Sequence, residues 1–133
     1  MVVSRLVAYK KIDIVVEAFN QLEVPLVVIG RGEESEKLKS ISKKNISFLG
    51  ECSDETVRDY LQRCKALIFP GEEDLGLTPI EAQACGKPVI AFGLGGVLET
   101  VIANRTGLFF YKSTKESLID AVTRFSSHEL KRF

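Results

Sequence analysis

The sequence has no tryptophan, one histidine (His128), four prolines and three cysteines in 133 residues, and its charges cancel, 18 Lys and Arg against 18 Asp and Glu. Each scarcity excludes something. A single histidine in a polar C-terminal stretch cannot serve a hydroxyl–His–acid triad, and Cys52, Cys64 and Cys85 have no metal-ligand spacing, so no metal site is expected. An odd, widely spaced set of cysteines reads as reduced thiols rather than a disulfide frame, and the expectation is a cytoplasmic protein. Zero net charge leaves no electrostatic footprint for nucleic acid or an anionic membrane. No apolar run approaches the roughly 18 residues of a spanning helix. The opening Met1-Val2-Val3-Ser4-Arg5 is charged too early for a signal peptide. No repeat and no linker rich in Pro, Gly or Ser interrupts the chain. What is present, 45% apolar and 27% charged residues, suits one globular domain with one core, expected over residues 1–126 with a polar tail over 127–133.

The hydrophobic pattern changes period repeatedly. Met1–Ser4, Leu26–Ile29, Ile46–Leu49, Ala66–Phe69, Val89–Phe92 and Gly107–Tyr111 are short, nearly continuous apolar runs, as parallel strands buried on both faces read. Between them lie helical periods. Ile12, Val15, Val16, Phe19 and Leu22 share one face, Leu38 with Ile41 and Val57 with Leu61 and Cys64 repeat the period more weakly, and Leu118, Ile119, Val122 and Phe125 follow an expected Ser113–Glu116 capping box. Six strands alternating with helices imply right-handed crossovers and an α/β fold, a doubly wound parallel sheet of Rossmann-like type. In such sheets ligands bind beyond the carboxyl ends of the strands, so the loops after each strand are where function is sought.

After the first strand come Arg5, Lys10 and Lys11, cations that either hold phosphates or coat a solvated turn. Gly30-Arg31-Gly32 begins a dinucleotide fingerprint but lacks its third glycine and follows the wrong strand, so a tight turn is the better reading. After the fourth strand, Thr78-Pro79-Ile80-Glu81 reads as a capping box with a proline start, following Gly76. A helix start at the ligand edge presents free N–H groups to a diphosphate. Glu81 then has two readings, a cap reaching back to Thr78 or a group holding sugar hydroxyls. Gly93-Leu94-Gly95-Gly96 permits a nest of N–H groups or a mobile turn.

Taken together these stretches are recognisable. Glu73 and Glu81 with Gly76-Leu77 between them, followed by Glu81-Ala82-Gln83-Ala84-Cys85-Gly86-Lys87-Pro88-Val89-Ile90, resemble the E-x7-E signature and the following run of the family 4 (group 1) glycosyltransferases. Ser4-Arg5-Leu6 with Lys10, Val28-Ile29-Gly30-Arg31-Gly32, Ile46-Ser47-Phe48-Leu49-Gly50, Gly95-Gly96 with Glu99 and Thr106-Gly107-Leu108 agree in order and spacing. The resemblance covers roughly residues 3–125. Asp74 and Leu75 depart from the small and aromatic residues usual after the first glutamate, which puts the shape of the sugar pocket in doubt.

The resemblance implies the C-terminal, donor-binding half of a GT-B enzyme, two Rossmann-like domains facing a cleft. Arg5 and Lys10 would neutralise the donor diphosphate as the sugar departs, and Gly76, Leu77 and Thr78 would offer backbone N–H groups to it. Glu73 would hold sugar hydroxyls, Glu81 the ribose, and the strand end Leu49-Gly50-Glu51 would lie near the base. No cofactor beyond the nucleotide-diphosphate sugar is implied, and transfer would be retaining and metal-independent. Asp74, Gln83 and Cys85 look most like mannosyltransferases of surface-polysaccharide synthesis, so GDP-mannose is the expected donor and a glycan or lipid-linked molecule the expected acceptor. The chain opens at what would be the second domain's first strand, and nothing in it resembles an acceptor half. An acceptor domain or partner chain is therefore expected to be missing, with any membrane contact made through that half. The alternatives are a sugar-nucleotide-binding module without chemistry of its own that needs a partner chain, and half of a Rossmann dehydrogenase, which the broken glycine fingerprint disfavours.

Overall fold

The computed structural model describes residues 1–74 and 76–127. Strands and helices alternate as the periodicity requires: β1 (Val2–Val3), α1 (Ile12–Leu22), β2 (Leu26–Ile29), α2 (Ser35–Ile41), β3 (Ile46–Gly50), α3 (Asp54–Arg63), β4 (Leu67–Phe69), α4 (Leu77–Ala84), β5 (Val89–Phe92), α5 (Val97–Thr100), β6 (Gly107–Phe110) and α6 (Lys115–Ser127). A 3-10 turn, Ala8–Lys10, lies between β1 and α1. Of the tail expected over 127–133, Ser127 is the last residue of α6 and the rest lies outside the described residues.

All strand pairings are parallel, in the orders β1-β2-β3 and β4-β5-β6. The two sheets meet along β1 and β4, where Ile68 N–H donates to the Met1 carbonyl at 2.8 Å and the Met1 ammonium donates to the Ala66 carbonyl at 2.9 Å. The spatial order is thus 3-2-1-4-5-6, and its switch point falls between β1 and β4. Burial pulls the Met1 ammonium pKa below its usual value.

The period of two explains the continuous apolar runs. On β4, β5 and β6, Leu67, Val89, Ala91 and Phe109 face one core while Ile68, Ile90 and Phe110 face the other. The second of these cores is covered by α1 and α6 through Val15, Phe19, Leu118 and Ala121, and the first by Leu61 of α3, Ala82 of α4 and Val97 of α5. A strand with helices on both sides has no polar face to show.

The helix ends are partly as expected. Ser53 caps α3, its hydroxyl accepting from Thr56 N–H at 3.2 Å. The cap of α6 is Thr114 rather than Ser113: its hydroxyl accepts from Ser117 N–H at 3.2 Å, and the Ser117 hydroxyl accepts from Lys112 N–H at 3.3 Å. With Thr114 as the cap, the position three residues on falls to Ser117 instead of Glu116, and its hydroxyl meets Lys112 N–H, two residues before the cap, so no reciprocal bond to the cap closes the box. At the end of α1, Glu23 takes the left-handed conformation (φ 60°, ψ 19°) that favours glycine. Glu23→Gly keeps the N–H bond to the Phe19 carbonyl and removes the Cβ strain. It should raise stability by about 1 kcal/mol, read as a higher urea midpoint.

Candidate functional site

The loops after β1, β2, β3 and β4 surround a cleft of about 1140 Å³ at the switch point. Arg5 and Lys10 enter it from the loop after β1, and Glu73, Thr78 and Glu81 from the loop and helix after β4. These two groups are more than sixty residues apart in sequence and become neighbours because β1 and β4 are adjacent.

Lys10 is the most constrained of the cations. Its ammonium is paired with the Glu73 carboxylate, both partly buried, and sits 5.2 Å from the Tyr9 ring centroid. Burial lowers its pKa, and the positive charge of nearby Arg5 lowers it further. Arg5 is exposed, and its guanidinium has no ion pair or hydrogen bond among the described residues. Arg5 and Lys10 are close enough for their charges to interact, Glu73 pairs with Lys10, and Glu33, Glu51, Asp54 and Glu81 also line the cleft. Since an ammonium has three donors, Lys10 can keep Glu73 and still donate to an anion.

The capping box expected at Thr78 is not formed. Helix α4 begins at Leu77 with Gly76 at the cap (φ −87°, ψ 106°) and no side-chain capping bond. Gly76 is pressed between the Phe69 ring and Pro79, which a Cβ would meet at 3.1 and 3.2 Å, so the chain turns into the helix there. Pro79 becomes the third helical residue, where an N–H has no intrahelical partner to lose. Glu81 is consequently no cap. It lines the cleft, and its carboxylate has no hydrogen-bond or ion-pair partner among the described residues.

Gly76, Leu77, Leu49 and Gly50 do not line the cleft itself. Gly76 is buried behind it, Leu77 is exposed on α4, and Leu49 and Gly50 end β3. Glu51 and Asp54 beyond them do line it, as does Arg31, whose guanidinium pairs with Glu51 at 2.9 Å. The sequence marks Arg31 only as part of a tight turn and of a matching stretch, and Asp54 not at all, although the rule that every strand's following loop faces the ligand edge points to both.

Gly30 and Gly32 serve close packing. The Arg31 carbonyl between them accepts from Leu6 N–H at 2.9 Å, and the Leu6 carbonyl accepts from Glu34 N–H at 2.9 Å. Gly95-Gly96 is likewise a contact between loops, with Gly96 N–H donating to the Glu73 carbonyl at 2.7 Å. Among the described residues no group of three or more His, Cys, Asp or Glu is placed to hold a metal, and no helix is long and apolar enough to cross a membrane.

A doubly wound sheet with cations and carboxylates lining a cleft at its switch point defines a Rossmann-like domain. The sequence profile described as "Glycosyl transferases group 1" matches residues 1–132, and the chain belongs to that family. It is 30% identical over 132 residues to an uncharacterized glycosyltransferase of Methanocaldococcus jannaschii, covering 96% of this chain and 38% of the relative. It is 29% identical over 145 residues to a GDP-mannose-dependent monoacylated alpha-(1-6)-phosphatidylinositol monomannoside mannosyltransferase of Corynebacterium glutamicum, covering 97% of this chain and 38% of the relative. The crystal structure of Anabaena HepE in complex with UDP-glucose superposes with a TM-score of 0.82 at 25% identity, over 94% of this chain and 38% of that one. The fold is that of one half of the GT-B glycosyltransferase architecture. The chain spans 38% of the length of these relatives.

Proposed function

We propose that this chain is the donor-binding half of a retaining, metal-independent glycosyltransferase that takes GDP-mannose and transfers the sugar to a glycan or lipid-linked acceptor presented by a second domain or partner chain. The observation that carries this reading is the convergence of Arg5, Lys10, Glu73, Thr78 and Glu81 on one cleft. Arg5 and Lys10 receive the diphosphate and offset the negative charge that grows on it as the sugar departs, so electrostatic stabilisation comes from side chains instead of a metal. Thr78, in the first turn of α4, lines the same cleft and offers its N–H to that anion. Glu73, drawn to Lys10, and Glu81, free of any cap, accept from sugar and ribose hydroxyls. The segment that follows β3, Glu51 to Asp54, takes the base. Support for the guanosine and mannose parts comes from the likeness to the GDP-mannose-dependent relative. The cytoplasmic placement is part of the same proposal, supported by the odd number and wide spacing of Cys52, Cys64 and Cys85 in the sequence. The reading without chemistry of its own differs only in what the second chain supplies.

The test is a titration of this chain with GDP-mannose, UDP-glucose and ADP-glucose, followed by amide shifts. The expected result is saturable binding of GDP-mannose at millimolar concentration or below, with shifts at Arg5, Lys10, Thr78 and Glu81. A response strongest to UDP-glucose keeps the donor site and overturns the guanosine assignment. No response to any of the three overturns the donor site.

A further inference from the structure

Glu73 lies between β4 and α4, where residues 70–74 form no strand or helix, so their backbone is fixed by contacts from outside. Two observations point to the turn between β5 and α5. Gly96 N–H donates to the Glu73 carbonyl at 2.7 Å. Gly95 has φ +85°, and a Cβ there would stand 2.6 Å from the Glu73 carbonyl oxygen and 3.2 Å from Glu72 Cγ. The turn therefore lies against the Glu73 main chain in a space that only glycine leaves open. It is itself anchored, since Gly93 N–H donates to the Phe110 carbonyl at 2.9 Å and Val97 is buried in the core beneath. At its other end Glu73 is tied through its carboxylate to Lys10, and Gly71 packs on the Lys10 main chain, where a Cβ would meet the carbonyl at 3.4 Å.

We propose that the Gly95-Gly96 turn is a positioning element for the Lys10–Glu73 pair, clamping the Glu73 main chain so that its carboxylate meets the Lys10 ammonium inside the cleft. The clamp is a property of the chain without ligand. Its consequence for binding rests on the donor-site reading of Lys10 and Glu73. Among the described residues, Arg5, Glu73 and the Tyr9 ring are the groups that face the Lys10 ammonium, and Glu73 is the one the turn moves.

Lys10 Nζ, titrated by NMR, is the reporter. Gly95→Ala and Gly95→Asn both drive a Cβ into the Glu73 carbonyl, and asparagine takes left-handed φ at lower cost than alanine, so the second variant carries the contact with less backbone strain. Gly86→Ala is the control, since Gly86 has φ +75° with nothing within 4 Å of an added Cβ and so carries the strain without the contact. In the Gly95 variants the Lys10 midpoint should fall by about half a pH unit or more, because the carboxylate that favours the charged ammonium has moved away. Nucleotide-sugar affinity should fall about tenfold or more. Gly86→Ala should change neither. An unmoved Lys10 midpoint in the Gly95 variants, or an equal shift in Gly86→Ala, overturns the clamp. Coupling across the Gly96 N–H to Glu73 carbonyl bond in the unaltered chain is a second measurement, and its absence also overturns it. If the unaltered chain binds no nucleotide sugar, the functional reading falls while the Lys10 titration still decides the clamp.

Discussion

Gly30→Ala should come close to unfolding this protein. Gly30 follows β2 with φ +134°, and an added Cβ would stand 1.7 Å from the Ser4 carbonyl oxygen and 2.8 Å from its carbon. The neighbours are main chain and cannot swing aside. Ser4 N–H donates to the Ile29 carbonyl at 2.9 Å, and Gly30 N–H donates to the Gly50 carbonyl at 2.8 Å, so the carboxyl ends of β1, β2 and β3 are laced together at this residue. Backbone strain of roughly 1–3 kcal/mol and overpacking of roughly 1–3 kcal/mol act together, for a loss of about 4 kcal/mol. That is a large share of the roughly 5–15 kcal/mol expected of such a domain. The check is a urea denaturation series with Gly50→Ala beside it. Gly50 has φ +73° but open space around an added Cβ, so its variant should lose only about 1 kcal/mol. Equal losses at the two positions would show that steric closure at Gly30 is unimportant.

Lys10→Ala should weaken diphosphate-bearing ligands by about 10- to 100-fold while leaving the bare nucleoside nearly unaffected, which is what losing a charge-assisted hydrogen bond of about 1.5–3 kcal/mol implies. Equal losses for both ligands would place Lys10 away from the diphosphate. The same lysine gives a pH signature. Burial and Arg5 hold its pKa below the ordinary lysine value, so diphosphate affinity should decline as pH rises through that lowered midpoint, before an unperturbed lysine near 10.4 would titrate. Folding responds with the opposite sign. Between the folded and unfolded pKa values the unfolded chain binds more protons, so Lys10's unfavourable contribution, present below the folded value, is relieved as pH rises through the window. Binding that weakens while Lys10's contribution to folding improves is a pattern that loss of structure cannot imitate. It is checked by isothermal titration and urea midpoints across the same alkaline range.

Much of the fold was legible because its signals are local. β-branched runs such as Leu26–Ile29 and Val89–Phe92 are short and apolar on both sides, and the structure places strands there. Ile12, Val15, Val16 and Phe19 stand at helical spacing, and they are the buried face of α1. The helix starts were less legible, since competing caps lie one residue apart. Ser113 and Thr114 differ by a hydroxyl's direction, and Thr78 lost its position to Gly76 through contact with Phe69, a residue of another element. Glu81 was ambiguous for the same reason, and removing the cap from Thr78 left it in the cleft.

The sequence by itself determined the alternation of strand and helix, the parallel sheet and the cations and glutamates that carry the family resemblance, because propensity, periodicity and motif spacing all act over a few residues. The tertiary structure decided what those residues do to one another. Lys10 and Glu73 pair across 63 positions of sequence because β1 and β4 are neighbours at the switch point. Gly96 reaches Glu73 because the turn after β5 lies beside the loop after β4. Neither contact follows from spacing along the chain, since both depend on strand order, and strand order is settled by burying both faces of the sheet at once.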